Sequence, residues 1–139
     1  MSNSINSLCE LKLKNEINKI LPNAYNYIED ISSLPAEIAS KIFLILIEYA
    51  CLSQNIDLII SARYNISKIP SDWIVKQLPK VSKKIICFDD EWEYRRLLEL
   101  ISEISLELLK WAIAEGYNSQ NEEVKEAAED FEVKFIKKE

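Results

Sequence analysis

The chain has 139 residues, of which 48% are hydrophobic and 29% charged, and 23 acids against 17 bases give a net charge of −6. That balance belongs to a folded chain, and at this length one domain, spanning 1–139, can bury roughly two-thirds of its unfolded surface. One glycine and no histidine exclude phosphate-cradling loops, dinucleotide fingerprints and every mechanism or metal site built on histidine.

Residues 1–10 carry no basic flank and no apolar run, so no signal peptide is expected. A first helix is predicted from about Ser4 to Leu21, with Ile5, Leu8, Leu13, Ile17 and Ile20 near helical spacing and Pro22 ending it. A short helical piece through Tyr25, Tyr27 and Ile28 follows, over Asn23 to Ile31.

Ser33-Leu34-Pro35-Ala36-Glu37 marks the next start, with Pro35 in the first turn, where its missing N–H is harmless. That helix should run to about Ser53. It is apolar on most sides, so Ile42, Ile45, Leu46 and Tyr49 are expected in the core. Its most apolar stretch is broken by Lys41 and Glu48 and is too short to span a bilayer. A cytoplasmic location follows as the expectation.

Asn55 is placed to cap a helix from Ile56 to about Ile66. Pro70 and Ser71 open another, over Asp72 to Leu78, and Pro79 should kink or restart it before Val81 to Cys87. Asp89-Asp90 then caps the strongest helix signal in the chain. At about 100° per residue, Tyr94, Leu97, Leu98, Leu100, Ile101 and Ile104 share one arc, while Trp92, Arg95, Arg96, Glu99 and Glu103 lie on the polar side. A break near Ser102 to Ser105 leads to a helix from Leu106 to Glu115. Gly116, the sole glycine, is read as its left-handed terminator. Ser119-Gln120-Asn121-Glu122 matches a capping box, and Val124, Ala127, Ala128, Phe131 and Phe135 form a last stripe.

The fold class predicted is therefore all-α, with roughly seven or eight helices, as stacked antiparallel helical hairpins or as a compact helical bundle. Asn121-Glu122-Glu123-Val124-Lys125-Glu126-Ala127-Ala128 resembles the opening of the second helix of HEAT-like repeats, over about one repeat. The block from Asp89 to Leu100 resembles one found in small bacterial proteins of unassigned function, and that resemblance implies no activity.

The three cysteines, Cys9, Cys51 and Cys87, form no C-x-x-C pair and read as buried small hydrophobes. Asp89, Asp90, Glu91 and Glu93 admit two readings: a metal or acid/base site, or a helix start in which acids answer the dipole and Glu91 meets Arg95. The second is favoured, and no catalytic residue, metal or cofactor is expected. Lys76, Lys80, Lys83 and Lys84 read as a solvated basic face rather than a phosphate contact.

Charge distribution says more. Residues 89–132 hold fourteen acids and four bases, a net −10, while the rest of the chain is +4. Such a field speeds encounter with a basic protein and repels nucleic acid and anionic membrane. Lysine outnumbers arginine fourteen to three, yet two arginines adjoin at Arg95 and Arg96, and Trp92 lies one turn from Arg96. Candidate partner-binding residues are therefore Trp92, Arg95, Arg96, Glu99, Glu103, Glu122, Glu123 and Glu126. The competing reading makes the Trp92 face internal, with the arginines bridging to Glu91 and Glu99. Charge and size together suggest a non-enzymatic immunity-type inhibitor of a basic toxin; the alternative is a helical adaptor or scaffold subunit of a cytosolic complex.

Overall fold

The computed structural model describes the backbone of residues 4–137 and the side chains of residues 8–137. The side chain of Ile5, and Met1 to Asn3, on which part of the leader reading rests, lie outside those residues. All regular structure in the described range is helical, and it contains no strand. The elements are α1 (Ser4–Ile20), a 3-10 segment (Ala24–Ser33), α2 (Ala36–Leu52), α3 (Ile56–Ser67), α4 (Ser71–Ile85), α5 (Glu91–Ser102), α6 (Leu106–Tyr117) and α7 (Glu122–Phe131). A π-helical turn, Glu132–Ile136, continues α7. The chain divides into two compact units, the first ending at Ser82 and the second beginning at Lys83.

In the first unit α1, α2 and α3 each pack on the other two, and the 3-10 segment lies against α1 and α2. Pro22 stops α1, and Asn23 turns the chain at φ 69, a left-handed conformation that asparagine tolerates better than most residues. Pro35 sits at the capping position of α2, one residue before the first turn proper. Asn55 caps α3 by accepting from the amides of Asp57 and Leu58 at 2.9 and 3.3 Å.

α2 supplies the centre of this unit, burying Ala39, Ile42, Phe43, Leu46, Ile47, Ala50 and Cys51. Ile42 and Leu46 are core residues as expected. Ile45 and Tyr49 are only half-buried, because the buried arc is centred on Phe43 and Leu46 and these two flank it. Tyr49 keeps its polar end at the edge, where its hydroxyl donates to Glu16 of α1. Phe43 meets Trp73 edge-on at 5.1 Å, which ties α2 to α4.

Pro79 does not restart the chain: α4 runs continuously through it. An interior proline costs about 3 kcal/mol. Here Ile74, Leu78 and Val81, one turn apart around it, are all buried, and their packing outweighs the lost hydrogen bond.

In the second unit α5, α6 and α7 each pack on the other two. Tyr94, near the start of α5, is fully buried; its hydroxyl donates to the Ala112 carbonyl in the middle of α6 at 2.8 Å and its phenol lies against Gly116 near the end of that helix, so those helices run antiparallel. Near the helix starts Asn121 Nδ2 donates to the Asp89 carbonyl at 3.0 Å, and further along Arg95 meets Asp130 at 3.0 Å. α5 and α7 are thus parallel.

Gly116 is where the reading from sequence fails most clearly. It lies inside α6, which continues through Tyr117, and its φ is not positive. Its task is space. A Cβ at that position would stand 2.1 Å from Tyr94 Oη and 2.4 Å from Cζ. The glycine costs the helix about 0.5–1 kcal/mol and lets the Tyr94 phenol come close against the backbone of α6.

Ser119 is likewise not the cap of α7. Asn121 is, accepting from the Glu123 amide at 2.9 Å. Ser119 Oγ instead accepts from the Asn121 amide at 3.0 Å and donates to Asp89 Oδ1 at 2.6 Å, which binds the two helix starts together. Val124, Ala127 and Ala128 are buried, and Phe131 stacks on Phe135 at 5.7 Å on the half-buried flank. Among the cysteines, Cys9 and Cys51 are buried, but Cys87 is exposed in the loop between α4 and α5.

Candidate acidic and aromatic surface on the second unit

The acids at the start of α5 are absorbed by the helix itself. Asp90 accepts from the Glu93 amide at 3.0 Å, and Glu93 reaches back to accept from the Cys87 amide at 2.8 Å. This is the reciprocal logic of a capping box, with the return bond made three residues further out. Glu91 accepts from Arg95 Nε at 2.7 Å, and Asp89 is held by Ser119. Among the described residues no group of three or more Cys, Asp or Glu side chains is placed to hold a metal ion.

Arg95 and Arg96, adjacent in sequence, have different work. Arg95 pairs with Glu91 on its own helix and with Asp130 on α7, and these contacts raise its pKa, the Glu91 hydrogen bond most. It sits at the seam between two helices and its charge is answered internally. Arg96 lies over Trp92 at 5.0 Å from the ring centroid. Trp92 is 41% exposed, so the stack is a surface feature, with one ring face covered by guanidinium. The competing internal reading thus holds for the Arg95–Glu91 pair, whereas the Trp92 ring is not internal.

Glu99 and Glu103 continue the polar face of α5, both exposed, with Glu103 at the C-terminal cap. The other three candidates stand on the first turns of α7. Glu122, Glu123 and Glu126, with Glu129, Tyr117 and Lys125, line an open groove of about 550 Å3. Glu122, Glu126 and Glu129 follow helical spacing, so one outward face carries three carboxylates. Among the described residues that line the groove, Lys125 is the single base, 3.5 Å from Glu122. The structure therefore groups the eight residues as two outward faces, one on α5 and one on α7, with the Arg95–Asp130 pair at the seam between them.

Three features of this region escape a sequence reading. Asp130 as the partner of Arg95 lies 35 residues away, and no local spacing signals it. Tyr117 donates to Glu132 Oε1 at 2.5 Å, and that carboxylate, more than burial, pushes the phenol up to about 12. Lys83, from the predicted lysine face, pairs with Glu115 at 2.5 Å and lies 5.7 Å from the Phe88 ring; it serves the packing of α6 rather than an open basic patch.

The charge is partitioned as sharply as the geometry. The first unit has eight acids and eight bases, and the second has fifteen acids and nine bases, so the whole net charge of −6 falls on the second. No family model matches this chain, and no curated protein or solved structure matches it either.

Proposed function

We propose that the protein is a non-enzymatic binding module, an immunity-type inhibitor that neutralises a toxin by covering its basic active surface. The observation that carries this reading is the confinement of all net charge to the second unit, where α7 carries an outward face of three glutamates and α5 an exposed tryptophan–arginine stack. Carboxylates on a rim steer a basic partner and raise its association rate. A half-exposed tryptophan braced by arginine supplies the kind of rigid anchor that dominates interface energetics. In this reading the protein acts in the cytoplasm, its helices pack as HEAT-like hairpins, and nucleic acid and membranes are not its partners.

The test begins with capture of partners by the tagged full chain from lysate of the source organism, eluting with rising salt. The expected result is a basic protein that leaves the column as salt increases and whose own activity is abolished by the purified chain at equimolar ratio. A captured partner whose activity is unchanged assigns the chain to the adaptor class instead. Retention that ignores salt overturns the electrostatic reading.

A further inference from the structure

The first unit leaves one face of α3 uncovered. Ile56, Ile60 and Tyr64 are one turn apart and therefore stack in a row, and they are 59%, 60% and 63% exposed. The face that packs inward is a different one, made of Leu58, Ile59, Ala62 and Ile66. Single exposed apolar residues need no explanation, whereas a continuous row of them marks an interaction surface.

The row borders a cleft of about 280 Å3 lined by Glu10, Tyr25, Asp57, Ile60, Ser61 and Tyr64. Among the described residues its chemistry is one-sided: two carboxylates, two phenol rings and no base. Neither Glu10 nor Asp57 takes part in an ion pair among the described residues.

Glu10 is nonetheless fixed. Tyr25 Oη donates to Glu10 Oε2 at 3.1 Å, and Asn65 Nδ2 donates to Tyr25 Oη at 3.2 Å and to the Ser61 carbonyl at 2.9 Å. Burial raises the Tyr25 pKa, which keeps its proton on the bond to Glu10. Asn65 is completely buried and its Oδ1 has no partner. An unanswered buried acceptor is destabilising. The fold bears it in a network whose visible result is to hold a phenol and a carboxylate at the cleft wall. The second ring already takes a cation: Lys68 Nζ stands 4.8 Å from the Tyr64 centroid, at the exposed end of α3.

We propose that the cleft and the α3 row form a docking surface for a basic amphipathic segment of a partner protein. One arginine or lysine of that segment enters the cleft, between the Tyr25 and Tyr64 rings and against Glu10 and Asp57, and its apolar neighbours cover Ile56 and Ile60. Charge complementarity selects this occupant over a second copy of the chain. A two-fold contact would set the same patch against itself, the Glu10 and Asp57 carboxylates of one copy facing those of the other, and Lys68 is already over Tyr64. This surface lies wholly within the first unit and does not depend on the inhibitor reading of the second.

The experiment is a titration of the 15N-labelled full chain with a short helical peptide carrying two leucines one turn apart and a single arginine. The control is the same peptide with glutamate in place of arginine. The arginine peptide is expected to shift amides of α3 and those around Glu10 and Tyr25, and the glutamate peptide to leave them unmoved. Asp57→Asn should weaken binding about tenfold, and Ile60→Ser should weaken it while leaving the melting temperature unchanged. Lys68→Ala should strengthen it by freeing the Tyr64 face. Equal shifts with both peptides reduce the surface to nonspecific stickiness and overturn the proposal, as does the absence of shifts in α3. Sedimentation that shows a dimer abolished by Ile60→Ser assigns the surface to a second copy and overturns it as well.

Discussion

Gly116→Ala should destabilise the protein, although glycine to alanine within a helix ordinarily stabilises by about 0.5–1 kcal/mol. The new methyl would stand 2.1 Å from Tyr94 Oη and 2.4 Å from Cζ, and the ring cannot retreat because Tyr94 is fully buried. Overpacking of this kind costs about 1–3 kcal/mol. Displacing the ring also breaks the 2.8 Å bond to the Ala112 carbonyl and leaves a buried hydroxyl short of a partner, a further cost of about 1–3 kcal/mol. Against the helix-propensity gain, the net loss should be about 2 kcal/mol or more. Urea denaturation measures it, and a double-mutant cycle gives the reason. In a Tyr94→Leu background, where the clashing ring is gone, Gly116→Ala should become neutral or stabilising. If the cost is the same in both backgrounds, the glycine is needed for its own backbone conformation, as a helix terminator would be, and the packing argument fails. If Gly116→Ala stabilises the parent chain, the close approach to Tyr94 does not exist.

Leu46→Ala, at a fully buried site on α2, should cost about 2–5 kcal/mol in denaturant melts, and a loss below about 1 kcal/mol would place the centre of the first unit elsewhere. A thiol reagent should label Cys87 at once in the native protein while Cys9 and Cys51 wait for unfolding; Cys87→Ser should remove the fast phase. Tyr117 holds its proton more tightly folded than unfolded, so the stability it contributes is present below pH 10 and is lost as pH rises towards about 12. Tyr117→Phe should remove the tyrosinate absorbance step near pH 12 and flatten the alkaline fall in stability.

Helix content and most boundaries are legible in the residues because periodicity and caps are local signals. Asn55, Asp90 and Pro22 each act within one turn of where they stand. Gly116 and Ser119 are misread for one shared reason. Each has a strong local meaning, as terminator and as cap, that a distant partner overrides: Tyr94 claims the space over Gly116, and Asp89 takes the Ser119 hydroxyl. Pro79 shows the same override by packing. On the candidate surface, the Trp92–Arg96 stack follows from one-turn spacing, whereas the commitment of Arg95 to Asp130 depends on α5 and α7 being parallel neighbours. The α3 row was equally hidden. Ile56, Ile60 and Tyr64 have core-like spacing, and sequence does not say which of two apolar faces a helix turns inward.

The central claim is that the second unit recognises a basic partner through two separable faces. The measurement that tests it most directly is the surface plasmon resonance of the captured partner against three forms of the chain across a range of ionic strength. For the parent chain the association rate should fall steeply as salt rises. Reversing Glu122, Glu123 and Glu126 to lysine should slow association and flatten that salt dependence while leaving dissociation nearly unchanged. Trp92→Ala should do the opposite, leaving association alone and speeding dissociation by the loss of an anchor worth about 2 kcal/mol or more. Rates for both variants indistinguishable from the parent, with the helical circular dichroism of all three intact, would contradict the claim.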